Sequence, residues 1–372
     1  MTSPENIANG VPVQREVIVT VKKESIGSFK LDGLVPAVFT PMTKDGAVDY
    51  DKFEMYCNHL TSKGMSQIYV NGTTGEGFSL TLDEREKIVE KWIEVGKKRY
   101  VKILKKLNTI TMNLFKGIVM ITSATRMVLN GKIKSIVVQV GALNLHDTKT
   151  MAEHAVKVGA DAIATVPPLF FKPKTVDYLV KYCKEVASAA PNLPFYFYHL
   201  PGATGVELCI EDFLKVAAKE IPSLVGVKFS STDLVDFIGC VHVPAPNRDD
   251  GKFNMMFGYD QIIMAGKILG ADGGVGTSFN FMAYVSRKVL DSKDKGDSIE
   301  ARLYQYRTQQ TCKVVYKYGD LLGGSVAAFK ALMTLIDVDL GPARSPMRCP
   351  TDQELVEIRS ELQNIGFFDW YD

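Results

Sequence analysis

Residues 194–228 read PFYFYHLPGATGVELCIEDFLKVAAKEIPSLVGVK, and this stretch decides the fold. Two short β-rich apolar runs, Pro194-Phe-Tyr-Phe-Tyr198 and Leu224-Val-Gly-Val-Lys228, flank a helical pattern over 209–219. A strand, a helix and a second strand in this order form a crossover unit, and a crossover joins parallel strands. The pattern continues in both directions. Further runs occupy Gly33–Thr40, Ser66–Val70, Ser135–Val140, Ala160–Thr165, Lys252–Phe257 and Ala271–Val275. Helical patterns separate them at about 49–63, 81–98, 147–158, 174–189, 231–240, 259–269 and 278–292. Thr81-Leu-Asp-Glu84 and Thr175-Val-Asp177 place a hydroxyl and then acids in the first turn, and Asp49-Tyr-Asp51 is expected to do the same. Eight such units over about 260 residues point to a closed (β/α)8 barrel, the TIM barrel, more than to an open doubly wound sheet. Beyond 292 the pattern is helical only, at about 296–318, 321–337 and 351–363. The expected organisation is an N-terminal extension over 1–30, a barrel over 31–292 and a C-terminal helical extension over 293–372.

Composition agrees with a large soluble core. Of 372 residues, 46% are apolar and 23% charged, which excludes wholesale disorder. The net charge of +2 gives no case for nucleic acid. Residues 100–134 carry seven basic residues and no acidic ones, so the rest of the chain is at −5. This stretch interrupts the barrel between the second helix and the third strand, where a few residues suffice. It reads as an insertion without a role of its own, or as translated non-coding sequence in an imperfect gene model, entering at the N-terminal face away from a barrel's usual site. A basic amphipathic helix there, suited to a membrane surface or a partner, is the alternative. The other apolar runs are far short of a membrane span. Within 1–30, Val17–Val21 alternates as a short strand could. Six cysteines at 57, 183, 209, 240, 312 and 349 form no CxxC pair, and read as free thiols in a reducing cytoplasm.

Barrel chemistry sits at the C-terminal ends of the strands. Lys228 ends the sixth run. Desolvation at an apolar mouth favours a free amine, which attack on a ketone requires. A lysine reaching out to water is the alternative. Tyr198 ends the neighbouring run, where a phenol could relay a proton or simply form the rim. His199 is expected on the other face. Gly72-Thr-Thr-Gly-Glu76 follows the second run, and its glycines and hydroxyls suit a carboxylate or phosphate. No lysine follows, so it is not a P-loop. Gly258-Tyr-Asp-Gln261 and Gly276-Thr-Ser278 follow the last two runs. Both could meet a hydroxylated substrate or cap helices.

Together these motifs resemble the class I aldolases of the dihydrodipicolinate synthase and N-acetylneuraminate lyase family. Gly72-Thr-Thr-Gly-Glu76, Tyr198 within Tyr-His-Leu-Pro and Lys228 within Gly-Val-Lys-Phe-Ser carry the likeness. Val70–Gly77, Leu193–Pro201 and Gly341-Pro-Ala-Arg-Ser-Pro346 are most similar to its animal sialic acid aldolase branch. The resemblance spans about 31–366. It implies that Lys228 forms a Schiff base with the substrate's C2 and that Tyr198 takes the proton from the C4 hydroxyl. Thr73 and Thr74 would hold the carboxylate. Ser230, Gly258, Asp260, Gln261 and Thr277 would meet the sugar end. It implies no cofactor or metal, a small-molecule substrate and a homotetramer with Phe170 near a neighbouring subunit. Three positions depart from the pattern. Phe170 stands where many relatives have tyrosine, and Gln261 where a glutamate often stands. Ala203 replaces the arginine that binds a second carboxylate in dihydrodipicolinate synthases, which argues against that activity. Another pyruvate-dependent aldolase, or a protein made inert by its insertion, are the other readings.

Overall fold

A computed structural model describes residues 25–97 and 133–371. Eight strands lie among them: β1 Gly33–Pro36, β2 Gln67–Val70, β3 Ser135–Gln139, β4 Ala162–Thr165, β5 Phe195–His199, β6 Leu224–Phe229, β7 Asn254–Phe257 and β8 Gly273–Gly276. All neighbours pair in parallel, in the order β1-β8-β7-β6-β5-β4-β3-β2. The ring closes through a parallel bridge between Ala37 and Tyr69, where Val38 N–H donates to Tyr69 O at 3.0 Å. Closure leaves no exposed sheet edge.

The covering helices follow as expected: α1 Lys52–Ser62, α2 over 82–97, α3 Leu145–Val158, α4 Val176–Ser188, α5 Ile210–Glu220, α6 Leu234–His242, α7 Ile263–Ile268 and α8 Ala283–Asp294. Thr81 and Glu84 exchange side-chain and backbone bonds at the start of α2, and Thr175 caps α4. Asp51 does not cap α1, because its own backbone is already helical; Asp49 accepts the Asp51 N–H at 3.2 Å instead. The C-terminal extension is α9 Ser298–Leu321, α10 Ser325–Leu335, α11 Asp352–Asn364 and the single turn α12 Phe367–Trp370.

Side chains fill two cores. The outer one lies between strands and helices; the inner one fills the barrel with residues such as Val35, Val137, Ala164, Tyr196 and Met256. Phe29 and Leu31 belong to the inner core, so the chain preceding β1 closes the barrel floor and is already packed by residue 29. There Asn254, fully buried, accepts from Leu31 N–H and the Tyr196 hydroxyl and donates to Leu31 O and Asp272. This satisfies the polar groups that the floor removes from water.

Residues 1–24, with the expected strand at Val17–Val21, lie outside the described residues. So does the expected insertion at 100–134, apart from Ile133 and Lys134. Gly96 in α2 lies against the Ile133 side chain, so the described chain on the two sides of 98–132 meets just before β3. Lys97 also pairs with Asp161 at 2.6 Å at this end of the barrel. All six cysteines are free thiols, with Cys209 and Cys349 exposed. Among the described residues no helix is long and apolar enough to cross a membrane.

One irregularity sets the orientation of β6. Phe195 pairs with Leu224, but Tyr196 pairs with Gly226, so β6 carries an extra residue. Strict alternation would place residues three apart on opposite faces. Val225 nevertheless belongs to the inner core, and Lys228 pairs with the inward-facing Tyr198. The bulge therefore reverses which residues point inward. Gly226 is required there: a Cβ on it would lie 2.0 Å from Asn254 O and 2.9 Å from the Tyr196 ring. Gly226→Ala is expected to lower folding stability by about 1–3 kcal/mol through overpacking. Chemical denaturation measures this, and an unchanged midpoint would show that the bulge relaxes freely.

Candidate active site

The C-terminal ends of β5 and β6 bring Tyr198 and Lys228 side by side, paired across the sheet and each 4% exposed. The Lys228 Nζ lies 3.9 Å from the centroid of the Tyr198 ring and 4.2 Å from that of Tyr69. These two rings meet edge to face at 5.8 Å. Tyr69 comes from β2 and was not anticipated from the sequence. Its place in a short strand is the available signal, since alternation puts Gln67 and Tyr69 on one face. Burial, reinforced by the Tyr198 phenol, raises the Tyr69 hydroxyl far above its ordinary pKa, so it stays protonated.

Above Lys228 opens a cavity of about 570 Å³. All nine residues expected to act on or bind substrate line it: Lys228, Tyr198, Thr73, Thr74, Ser230, Gly258, Asp260, Gln261 and Thr277. The volume suits a small molecule of many heavy atoms. Among the described residues lining it, Lys228 is the sole basic side chain and Asp260 the sole carboxyl. Ala203 also lines it, from the helical turn Pro201–Thr204, and supplies no charge.

The loop after β2 forms one wall. Thr73 is exposed, with its hydroxyl 3.4 Å from that of Tyr198, while buried Thr74 bonds Thr277 at 2.6 Å. Thr277 follows β8, so this contact ties the loops after β2 and β8 across β1. Close approach of the opposite wall depends on two glycines. A Cβ on Gly258 would lie 1.9 Å from Ser230 Oγ, and one on Gly276 would lie 1.9 Å from Asp260 Oδ1. The Ser230 hydroxyl is buried without a protein partner, a donor free for a ligand.

Asp260 opens a turn of 3-10 helix, Asp260–Ile262, and accepts the Ser278 N–H at 2.8 Å. Burial raises its carboxyl pKa, against the opposing pull of the Ser278 hydrogen bonds and of Lys228. The C-terminal helix α9 fixes this turn: Gln305 donates to Asp260 O at 3.1 Å and Gln309 to Gln261 O at 2.9 Å. Tyr316 from α9, and Ser325, Val326 and Phe329 from α10, complete the far wall. Those four were not read from the sequence. They stand 88 or more residues beyond Lys228, in helices whose patterning shows a buried face but not what it covers.

His199 points away from the cavity, as expected, with its ring 4.9 Å from Phe229 in the outer layer. Phe170 and Phe171 lie outside the cavity, 79% and 87% exposed, on the loop between β4 and α4.

Comparisons agree with this geometry. The model of the dihydrodipicolinate synthetase family matches residues 30–107 and 108–365. The N-acetylneuraminate lyase of Rattus norvegicus is 35% identical over 343 residues, covering 92% of this chain and 94% of that protein. That of Homo sapiens is 34% identical over 345 residues, covering 92% and 95%. Among solved structures, Proteus mirabilis N-acetylneuraminate lyase superposes with a TM-score of 0.75 at 30% identity, covering 91% of this chain and 100% of that one. The enzyme of Aliivibrio salmonicida gives 0.74 at 29%, covering 91% and 98%.

His199 generates a pH test. Burial lowers its pKa to about 4, against the opposing effects of Asp236 and Asp233. The unfolded chain binds the proton first, so this stabilisation is complete above about pH 6.5 and is lost as pH falls through about 4. The loss amounts to about 3 kcal/mol. Denaturation at stepped pH should show His199→Asn losing stability less steeply than the parent over that window. Equal slopes would remove His199 as the source.

Proposed function

The chain belongs to the dihydrodipicolinate synthetase family, and on that premise we propose that it is a sialic acid aldolase. It cleaves N-acetylneuraminate to pyruvate and N-acetylmannosamine through an imine on Lys228. The observation that carries the reading is the Lys228 amine set between two tyrosine rings at the floor of a hydroxyl-lined cavity.

The placement supports the following chemistry. The Lys228 amine attacks C2 of the open-chain sugar acid, and loss of water gives the protonated imine. Tyr198 takes the proton of the C4 hydroxyl, aided by the substrate carboxylate. The C4–O bond becomes a carbonyl, the C3–C4 bond breaks, and its electron pair moves into the iminium to leave an enamine. N-acetylmannosamine departs. Protonation of the enamine at C3 and hydrolysis of the imine release pyruvate and restore Lys228. The imine is itself the electron sink, so the scheme calls on no metal or dissociable cofactor.

Thr73 and Thr74 hold the carboxylate, and their loop lies beside Tyr198, where that carboxylate must sit to assist it. Ser230, Gly258, Asp260, Gln261 and Thr277 meet the hydroxyls of the sugar end. Gln261 offers both a donor and an acceptor there, without the charge of a glutamate. The cavity's uncharged Ala203 favours this substrate over one whose second carboxylate would need a cation.

The same reading includes a cytoplasmic homotetramer. Six free thiols suit a reducing compartment. Leu143, Phe170, Phe171 and Tyr178 expose large apolar side chains around β3, β4 and the start of α4, a face suited to a second copy. Sedimentation is expected to give four times the 41.1 kDa chain mass, and a monomer would remove this part of the reading.

Incubation with pyruvate and borohydride, followed by peptide mass spectrometry, is expected to place a reduced adduct on Lys228. Labelling at another lysine, or none on the folded protein, sinks the imine mechanism. Lys228→Ala should abolish cleavage. Tyr198→Phe should lower kcat by roughly 10²-fold or more while leaving pyruvate trapping in place.

A further inference from the structure

Two sequence motifs serve no step of the proposed reaction: Glu76, which ends Gly72-Thr-Thr-Gly-Glu76, and Gly341-Pro-Ala-Arg344 of the C-terminal extension. They meet at one buried ion pair. The Glu76 carboxylate is fully enclosed and lies 2.7 Å from the Lys330 Nζ, whose side chain is 2% exposed. Lys330 stands on α10, one residue after Phe329 of the cavity wall. Its ammonium also donates to Pro342 O at 2.7 Å. The second carboxylate oxygen accepts the Arg344 N–H at 2.7 Å. Arg344 in turn clasps Glu84 at the start of α2, and donates to Gly46 O and Ser79 O.

The turn that carries Thr73 and Thr74 depends on this anchor. Glu76 N–H donates to Thr73 O at 3.0 Å, and Gly77 N–H to Gly72 O at 3.1 Å. Glu76 holds φ at +57° and Asn71 at +61°, conformations that non-glycine residues rarely adopt. A residue persists there when its surroundings over-determine it. Gly77 has no room to give, since a Cβ on it would lie 2.1 Å from Asn71 O. The Glu76 side chain therefore fixes the backbone that presents the two threonines.

A buried ion pair is a poor means of gaining stability, because taking both charges out of water offsets their attraction. It is a good means of fixing one geometry. We propose that the Glu76–Lys330 pair is a strut that positions the Thr73–Thr74 turn for the substrate carboxylate, making both positioning residues of the aldolase site. The proposal rests on the imine reading above. It gives the C-terminal helices a part in binding that reaches past the cavity wall.

The test compares two ketones in borohydride trapping on Lys228: pyruvate, and methyl pyruvate, its uncharged ester. The parent protein is expected to half-saturate at lower pyruvate than ester. In Lys330→Met and Glu76→Gln the turn loses its anchor, and that preference should fall about tenfold or more, the scale of one charge-assisted hydrogen bond. Trapping of the ester should change little. Each single variant leaves one charge buried alone and risks misfolding, so the double variant Glu76→Gln/Lys330→Met is measured beside them. It removes both charges and is expected to fold with the same lost preference. A folded variant that keeps the parent's preference, or loses both ketones alike, overturns the strut. A parent protein that traps neither ketone takes the imine reading down with it, an outcome distinct from a failure seen only among the variants.

Discussion

A single extra residue in β6 sets the direction of the lysine on which the site is built. Side chains along a strand alternate between the barrel interior and the helix layer. Leu224 faces outward against the helices, and by parity alone Lys228 would face outward too. The shift between the Phe195–Leu224 and Tyr196–Gly226 pairs breaks that parity and turns Lys228 inward beside Tyr198. The outer layer there is apolar, with Phe229, Phe237 and Phe257 in ring contact, so the inward turn keeps the amine out of it. Gly226 permits the shift, because only a residue without a side chain fits between Asn254 O and the Tyr196 ring. The polar floor serves the same end. Asn254 accepts from Tyr196 and holds Leu31, so the bulge is braced from the strand on either side.

The upper half of the barrel is organised by long-range polar ties. Thr74 to Thr277 joins the loops after β2 and β8. Asp260 to Ser278 N–H joins the loops after β7 and β8. Gln305 and Gln309 bind the carbonyls of Asp260 and Gln261 to α9. Lys330, Pro342 and Arg344 bind the loop after β2 to α10 and the segment beyond it. The C-terminal helices thus hold both sides of the cavity, the Thr73–Thr74 side through α10 and the Asp260–Gln261 side through α9. The Arg344–Glu84 pair lowers the Glu84 carboxyl to about 2, so the outer end of this chain of contacts keeps its charge at any ordinary pH.

Much of this was legible in the sequence, for a physical reason. Parallel strands buried on both faces leave compact apolar runs, and crossover helices leave longer periodic ones, so all eight units could be placed. Residues at strand ends then fell at the barrel mouth, and eight of them, with Ser230 from the family resemblance, are the expected site residues that line the cavity. Local chemistry was less secure. Thr81 and Thr175 cap as their spacing suggests, whereas Asp51 enters its helix already in helical conformation. What the sequence concealed was contact across long separations. Phe329 and Tyr316 look like ordinary helix-core residues, and Lys330 like a solvated one. The direction of Lys228 was hidden as well: simple alternation would have assigned it outward, and the glycine inside Leu-Val-Gly-Val-Lys was the available sign that alternation fails there.

The position of the long basic stretch bears on how the barrel tolerates it. Gly96 and Ile133 touch where α2 gives way to β3, at the end of the barrel opposite Lys228. The contacts that close the barrel nearby, Lys97 with Asp161 and Ile133 in the outer core, are made by residues on either side of the excursion. The polar ties described at the mouth join the loops after β2, β7 and β8 to one another and to α9 and α10. Lys97 and Ile133, which flank the stretch, thus stand at the end of the barrel away from the cavity whose lysine, Lys228, is held by neighbours from β2 and β5. A barrel separates its two faces, and the chain on either side of 98–132 belongs to the face opposite the strand C-termini.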